Sequence, residues 1–140
     1  MAHNPILRVV TGLLLPLIML FALYVQFHGD FGPGGGFQAG VILSAAFVLY
    51  GLVFEIDRLT RVMPPAILLF LAPLGVLLYA SVGVAGMALG GAFLDYNVLA
   101  ADPKSGQHVG IFLVELGVGI TVFSVILLMF VAFAGRGRGA

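Results

Sequence analysis

Residues 28–40 read HGDFGPGGGFQAG, and long apolar runs lie on both sides of this glycine-rich stretch. Pro33 supplies a fixed φ and Gly34 a permissive backbone, which are the two requirements of a tight turn. The flanking runs are therefore predicted to form two antiparallel helices joined by this turn. Phosphate binding does not fit the stretch, because a P-loop needs a strand before its glycines and a Lys with Ser or Thr directly after them. Phe37 and Gln38 follow here instead.

The composition indicates that the chain lies in lipid. Of its 140 residues, 61% are hydrophobic and 9% are charged, whereas soluble domains carry about 25% charged residues. So few charges cannot cover a surface that faces water. The six basic and six acidic residues balance, so the net charge gives no indication of a nucleic-acid partner. Cysteine is absent, which excludes disulfides and thiolate metal sites.

Four apolar runs are long enough to cross a bilayer, since about 20 helical residues at 1.5 Å each span a hydrocarbon core of ~30 Å. They cover residues 9–27, 37–54, 66–89 and 109–133. The first run has no small-x-small cleavage site after it, so we interpret it as a retained helix rather than a signal peptide. The sequence thus predicts an all-α membrane protein with four transmembrane helices in a single domain over residues 1–140.

The basic residues predict which side of the membrane each connection faces. Five of the six lie in segments that four spans would place on the same side: Arg8, Arg58, Arg61, Arg136 and Arg138. The other side has only Lys104. The positive-inside rule therefore places both termini in the cytoplasm and the turn at residues 28–40 outside.

Small residues recur at helical spacing and predict faces on which helices approach closely. Gly36, Gly40 and Ser44 are four residues apart, and so are Gly86 and Gly90. The predicted turn and packing residues are Pro33, Gly34, Gly35, Gly36, Gly40, Ser44, Gly86, Gly90 and Gly119. Pro16 and Pro73 fall inside the first and third spans, where each removes a backbone hydrogen bond and is expected to bend or locally unwind its helix.

Two segments carry a resemblance to a known family. HGDFGPGGGFQAGVILSAAFVLYG at residues 28–51 resembles the signature of the MrpB family, also called MnhB, and FLVELGVGITVF at residues 112–123 resembles that family's last helix. Ala39 stands where many members have Gly, which is a change between small residues. The resemblance covers nearly the whole chain. Related domains also occur in membrane-bound hydrogenases and other relatives of respiratory complex I.

The resemblance implies a small subunit of a multi-subunit Na⁺/H⁺ antiporter in a bacterial-type cell (inner) membrane. Its partners would be the other antiporter subunits and the lipid bilayer, and Na⁺ and H⁺ would be the ions that the complex transports. No cofactor, metal or nucleic acid is expected. The alternatives are a subunit in the ion-translocating arm of a membrane-bound hydrogenase, or a scaffold that serves assembly alone.

Candidates for ion chemistry are few. Among Asp, Glu, Lys, Arg and His, Glu115 is the only residue inside the four predicted spans. It is either a proton or Na⁺ site, or a carboxylate that only hydrogen-bonds a neighbouring helix. His28 and Asp30 lie at the outer mouth of the hairpin and either gather cations there or fix the turn. Since ion translocation needs a chain of buried groups, one Glu predicts an accessory subunit without catalytic residues of its own.

Overall fold

The computed structural model of the chain describes residues 4–28, 35–91 and 103–136, without the side chains of residues 28 and 103–108. These ranges form five α-helices and contain no strand. The helices are α1 (Pro5–His28), α2 (Gly36–Phe54), α3 (Ile56–Val62), α4 (Pro65–Ala88) and α5 (Pro103–Gly135). All but α3 are long and apolar enough to cross a membrane, which confirms the prediction of an all-α membrane protein with four spans. The side on which the termini lie stays a prediction.

The ends of the helices follow capping rules. Asn4 caps α1, since its side-chain oxygen accepts hydrogen bonds from the backbone N–H groups of Ile6 and Leu7 at 3.0 and 3.3 Å. The first helix therefore begins at Pro5 rather than at residue 9. α5 runs from residue 103 to residue 135, longer at both ends than the predicted 109–133, and Pro103 suits its first position.

The connection between the second and third predicted spans is a short helix, α3, rather than a loop. Glu55 separates it from α2 with φ 83°, a backbone conformation that ends one helix and lets the chain restart in another direction. Pro64 is extended, as expected for a residue before a proline, and Pro65 begins α4. The two prolines thus end α3 and fix the start of the next span.

Gly90 caps α4 instead of packing on its face. The helix ends at Ala88. The N–H of Gly91 donates to the carbonyl of Gly86 at 2.9 Å, and that of Gly90 to the carbonyl of Met87 at 3.1 Å. This is a Schellman motif, whose residue after the cap needs positive φ; Gly90 has φ 97° and nothing within 4 Å of the position of a Cβ. Gly90 thus lies in the turn after α4, and the predicted packing face that it shares with Gly86 is not formed within the described part of the chain.

The four long helices lie side by side in the order α1, α2, α5, α4. α5 packs mainly on α4 and α2, α2 packs on α1, and α1 touches α5 only weakly. A cluster of buried apolar residues joins α3 to α4 and α5, and its members are Ile56, Leu59, Leu68, Phe123 and Leu127. Most other large apolar side chains are exposed, above all on α1. Such surfaces suit contact with lipid or with other membrane subunits.

The described arginines gather at one end of this layer. The guanidinium of Arg8 at the start of α1 lies 5.3 Å from the ring centroid of Phe54 at the end of α2. A Cβ on Gly51 would contact side chains of both Leu59 and Phe130, so α3 and the end of α5 lie there too. We call this the arginine end; its arginines are Arg8, Arg58, Arg61 and Arg136.

Candidate functional site

The closest contact between α2 and α5 is made by glycines. A Cβ on Gly36 would overlap the carbonyl oxygen of Glu115. One turn further along α2, a Cβ on Gly40 would lie 2.8 Å from the carbonyl oxygen of Gly119. Only hydrogen atoms fit at these two positions, so the backbones of the two helices touch directly, as small residues allow in membrane helices.

Glu115 lies at this contact, and its side chain is half-buried. Its Oε1 is 3.3 Å from the position that a Cβ on Gly35 would occupy, and Oε1 of Gln38 is 3.0 Å from the same point. The carboxyl group of Glu115 and the amide of Gln38 therefore both lie beside Gly35, the residue before α2. The first turn of a helix has N–H groups without intrahelical partners and carries a partial positive charge. Backbone N–H groups at the start of α2 therefore lie near the Glu115 side chain.

Gln26 brings α1 into the same region. Its side chain is 7% exposed, and its Oε1 lies 2.8 Å from the position of a Cβ on Gly119. The carbonyl oxygen of Gly36 is 3.2 Å from that same position. The Nε2 of Gln26 is buried and has no hydrogen-bond partner among the residues that the structure describes.

We call this region the polar crossing; it consists of Gln26, Gly35, Gly36, Gln38, Glu115 and Gly119. Three helices supply to it one carboxyl group, two side-chain amides and backbone carbonyls within about one helical turn. Such a set can take up and release one proton, or offer oxygen ligands to a cation. Within the described part of the chain, no three His, Cys, Asp or Glu residues lie close enough together to hold a metal ion.

Sequence reasoning selected Glu115, Gly35, Gly36 and Gly119 and missed the two glutamines. Gln38 stands in the quoted motif, but its amide was not considered. Gln26 is the only amide side chain in the first span. An amide side chain isolated in an apolar run is the sequence feature that could have identified Gln26.

The remaining predicted residues are placed as follows. Ser44 is buried on α2, and its hydroxyl donates to the carbonyl oxygen of Val41 at 2.8 Å, within its own helix. Gly86 is buried on α4. The α-helices continue without interruption through Pro16 and Pro73. The other predicted site residues lie outside the described part of the chain: the side chain of His28, and Asp30, Pro33 and Gly34.

A second close contact, between α4 and α5, was not predicted. A Cβ on Gly75 would overlap the hydroxyl of Thr121, and one on Gly117 would lie 2.7 Å from the carbonyl oxygen of Gly75. The Thr121 hydroxyl also donates to the carbonyl oxygen of Ala72 at 3.2 Å, directly before Pro73. Gly117 and Thr121 are four residues apart, so the spacing rule that selected Gly36 and Gly40 would have found them.

The described part of the chain defines a class: a multi-pass membrane protein whose helices meet through glycines beside the half-buried side chain of Glu115. Comparison with known proteins narrows this class. Residues 6–128 match the family model MnhB, described as a domain related to the MnhB subunit of Na⁺/H⁺ antiporter. Relatives in the Newman and COL strains of Staphylococcus aureus carry the name "Putative antiporter subunit mnhB2". Each is 34% identical over 136 residues, which cover 95% of this chain and 96% of the relative.

The chain belongs to the MnhB family. The match includes both segments on which the resemblance was based, residues 28–51 and 112–123, and thereby confirms it. It also contains every described residue of the polar crossing.

Proposed function

We propose that the chain is an accessory membrane subunit of a multi-subunit Na⁺/H⁺ antiporter. The observation that carries this proposal is the family match over residues 6–128, which covers three of the four helices able to span a membrane almost entirely and most of the fourth. The exposed apolar surface of these helices supports a protein that packs against other subunits and lipid. The other antiporter subunits are thus the proposed partners, and Na⁺ and H⁺ the ions that the complex exchanges.

The scarcity of Asp, Glu, Lys, Arg and His in the spans supports an accessory role. A pathway through the membrane needs several titratable or polar groups in succession. Glu115 is the single carboxylate in the described part of the spans. Other subunits would therefore supply most of the ion pathway, and this chain would carry no catalytic chemistry of its own.

We further propose that both termini face the cytoplasm of a bacterial-type cell. The arginine end supports this orientation, because cytoplasmic connections are rich in Lys and Arg. The polar crossing would then lie toward the outer face of the membrane. His28 and Asp30 would lie near the outer mouth of the hairpin, where they could attract cations.

Glu115 is our candidate for a group in the ion pathway. Its position beside the first turn of α2 is compatible with two roles, exchange of a proton or cation and anchoring of α2 on α5. Glu115→Gln keeps the size of the side chain but removes its charge and its proton. If Glu115 lies in the pathway, this variant lowers Na⁺/H⁺ exchange in membrane vesicles roughly 10-fold or more, while the complex assembles normally.

The matched control is Glu55→Gln, which removes an exposed carboxylate at the arginine end and should leave exchange unchanged. Normal exchange in the Glu115→Gln complex would remove Glu115 from the pathway. Loss of the assembled complex, with normal exchange in the fraction that assembles, would assign it the anchoring role.

Identification of the chain's neighbours tests the function itself. The tagged chain is extracted in mild detergent, and the proteins that come with it are identified by mass spectrometry. Antiporter subunits without redox proteins support the proposal. Partners that carry iron–sulfur clusters or nickel would assign the chain to a membrane-bound hydrogenase or another relative of complex I. A chain that purifies alone would contradict an accessory role.

A further inference from the structure

Two cavities lie along one side of the α1–α2 pair. The first, of about 140 Å³, lies beside Gln26 and is bounded by α1, α2, α4 and α5. The second, of about 260 Å³, lies toward the arginine end between α1, α2 and α3. Residues of α1 that line them are spaced by three or four and so share one side of the helix. These are Leu15, Met19, Ala22, Leu23 and Gln26.

α2 contributes in the same way. Its lining residues also recur at helical spacing, so the two cavities follow a single groove, which we call the α1–α2 groove. The α2 residues that line it are Ala39, Gly40, Leu43, Ala46, Phe47 and Tyr50.

The groove is apolar, and Gln26 is the exception at its first cavity. A buried donor without a partner is destabilising, because the hydrogen bond that it would make with water is not replaced. The Nε2 of Gln26 is such a donor among the residues that the structure describes. Whatever fills the groove should therefore offer a hydrogen-bond acceptor at Gln26 and apolar surface elsewhere.

The depth of Gln26 in the membrane limits what the acceptor can be. Gln26 lies next to Phe27, the last residue of the apolar span of α1. This is the level at which hydrocarbon meets the polar headgroup region, where the ester carbonyls of phospholipids lie. From there the groove reaches Leu15, a distance of roughly 16 Å at 1.5 Å per residue. That is about half of a ~30 Å hydrocarbon core, the depth of one leaflet and of one acyl chain.

We propose that the α1–α2 groove binds a membrane phospholipid, with an acyl chain along the groove and the Gln26 amide donating a hydrogen bond to an ester carbonyl. A transmembrane helix fits these cavities less well, because a helix with side chains is about 10–12 Å wide. Large apolar side chains also flank the first cavity and suit contact with an acyl chain: Leu23, Leu43, Leu71 and Phe123.

The test compares two lipid probes on the full chain with its co-purifying subunits. The protein is reconstituted into phosphatidylethanolamine vesicles that contain a trace of phosphatidylethanolamine with a diazirine in one acyl chain. The second probe is the diether analogue, which lacks both ester carbonyls. After illumination, labelled residues are mapped by mass spectrometry. We expect labelling of the groove side of α1 and α2 to be about five-fold stronger with the diester, the ratio that one net hydrogen bond provides.

Variants then separate the two parts of the proposal. Gln26→Leu keeps the bulk but removes the donor, and it should make the two probes label the groove equally. Leu23→Trp fills the groove and should reduce labelling by both probes. Leu17→Trp adds the same bulk to an exposed position of α1 away from the groove and should change neither result.

Three results would overturn the proposal. The first is equal labelling of the groove by the diester and the diether probes in the unchanged protein. This comparison needs no variant and so does not depend on whether a variant folds. The second is labelling spread evenly over the exposed apolar faces, including the one that carries Leu17. The third is a groove labelled only after the other subunits are removed, because a partner helix would then be its occupant.

Discussion

Gly36 lies where α2 comes closest to the backbone of α5, with the carbonyl of Glu115 in the place of a side chain. In Gly36→Ala the added methyl group must push the two helices apart. Overpacking of this kind costs about 1–3 kcal/mol. We therefore expect the Gly36→Ala protein in detergent to unfold at a clearly lower temperature, measured by circular dichroism.

Gly12→Ala is the control for this prediction. Gly12 lies inside α1 with nothing within 4 Å of the position of a Cβ. Because Ala is the better helix former, this change should leave the unfolding temperature unchanged or raise it slightly. Equal unfolding temperatures for Gly36→Ala and the unchanged protein would mean that the α2–α5 contact is loose enough to accommodate a methyl group.

The neighbour of the small face on α2 cannot be predicted from the sequence alone. The spacing of Gly36 and Gly40 identifies a small face on α2, but a spacing rule concerns one helix and does not name the neighbour. That the neighbour is the backbone at Glu115 and Gly119 follows only from the packing of α2 on α5. For Gln26 the limit is related: an isolated amide in an apolar run can be noticed in the sequence, but its neighbour on α5 is known only from the packing.

Among the elements, α3 depends most on a single side chain. Leu59 is fully buried in the cluster that joins α3 to α4 and α5. With seven residues, α3 is too short to be stable alone. Leu59→Ala should therefore cost about 2–5 kcal/mol and release α3 from the layer. Hydrogen exchange followed by mass spectrometry should show faster exchange of the α3 amides than in the unchanged protein.

Leu69→Ala is the comparison for α3, since Leu69 is 64% exposed on α4. Its α3 amides should exchange at the rate of the unchanged protein. If Leu59→Ala also leaves that rate unchanged, connections to α2 and α4, rather than the buried leucine, hold α3 in place.

The long helices were predictable because twenty apolar residues in lipid have few alternatives to a helix. α3 was not predictable in this way, because its charged residues and the following Pro64 and Pro65 are typical of a loop. The helix exists since Leu59 and Ile56 fall on one side and are buried there. For Gly90 the sequence predicted two roles, packing and turn, because a glycine that caps a helix and one that packs on its face have the same spacing. The described structure shows the cap.

For the whole molecule, the distribution of basic residues predicts the orientation in the membrane. The arginine end gathers Arg8, Arg58, Arg61 and Arg136 at one end of the layer, and α4 runs from that end to its cap at Gly90. Charge distribution thus predicts that Arg61 faces the cytoplasm and that Leu89, at the end of α4, faces outside. The absence of cysteine from the chain makes both positions accessible to single-cysteine labelling.

Arg61→Cys and Leu89→Cys, both exposed in the described structure, are made in separate chains and treated in intact cells with a membrane-impermeant maleimide. Leu89→Cys should be labelled directly, and Arg61→Cys only after the cells are permeabilised. The unchanged chain, which has no thiol, gives the background. The reverse pattern would place the termini outside and bring the polar crossing to the cytoplasmic face. Glu115 would then lie toward the cytoplasm, at the cytoplasmic end of the proposed ion pathway instead of the outer end.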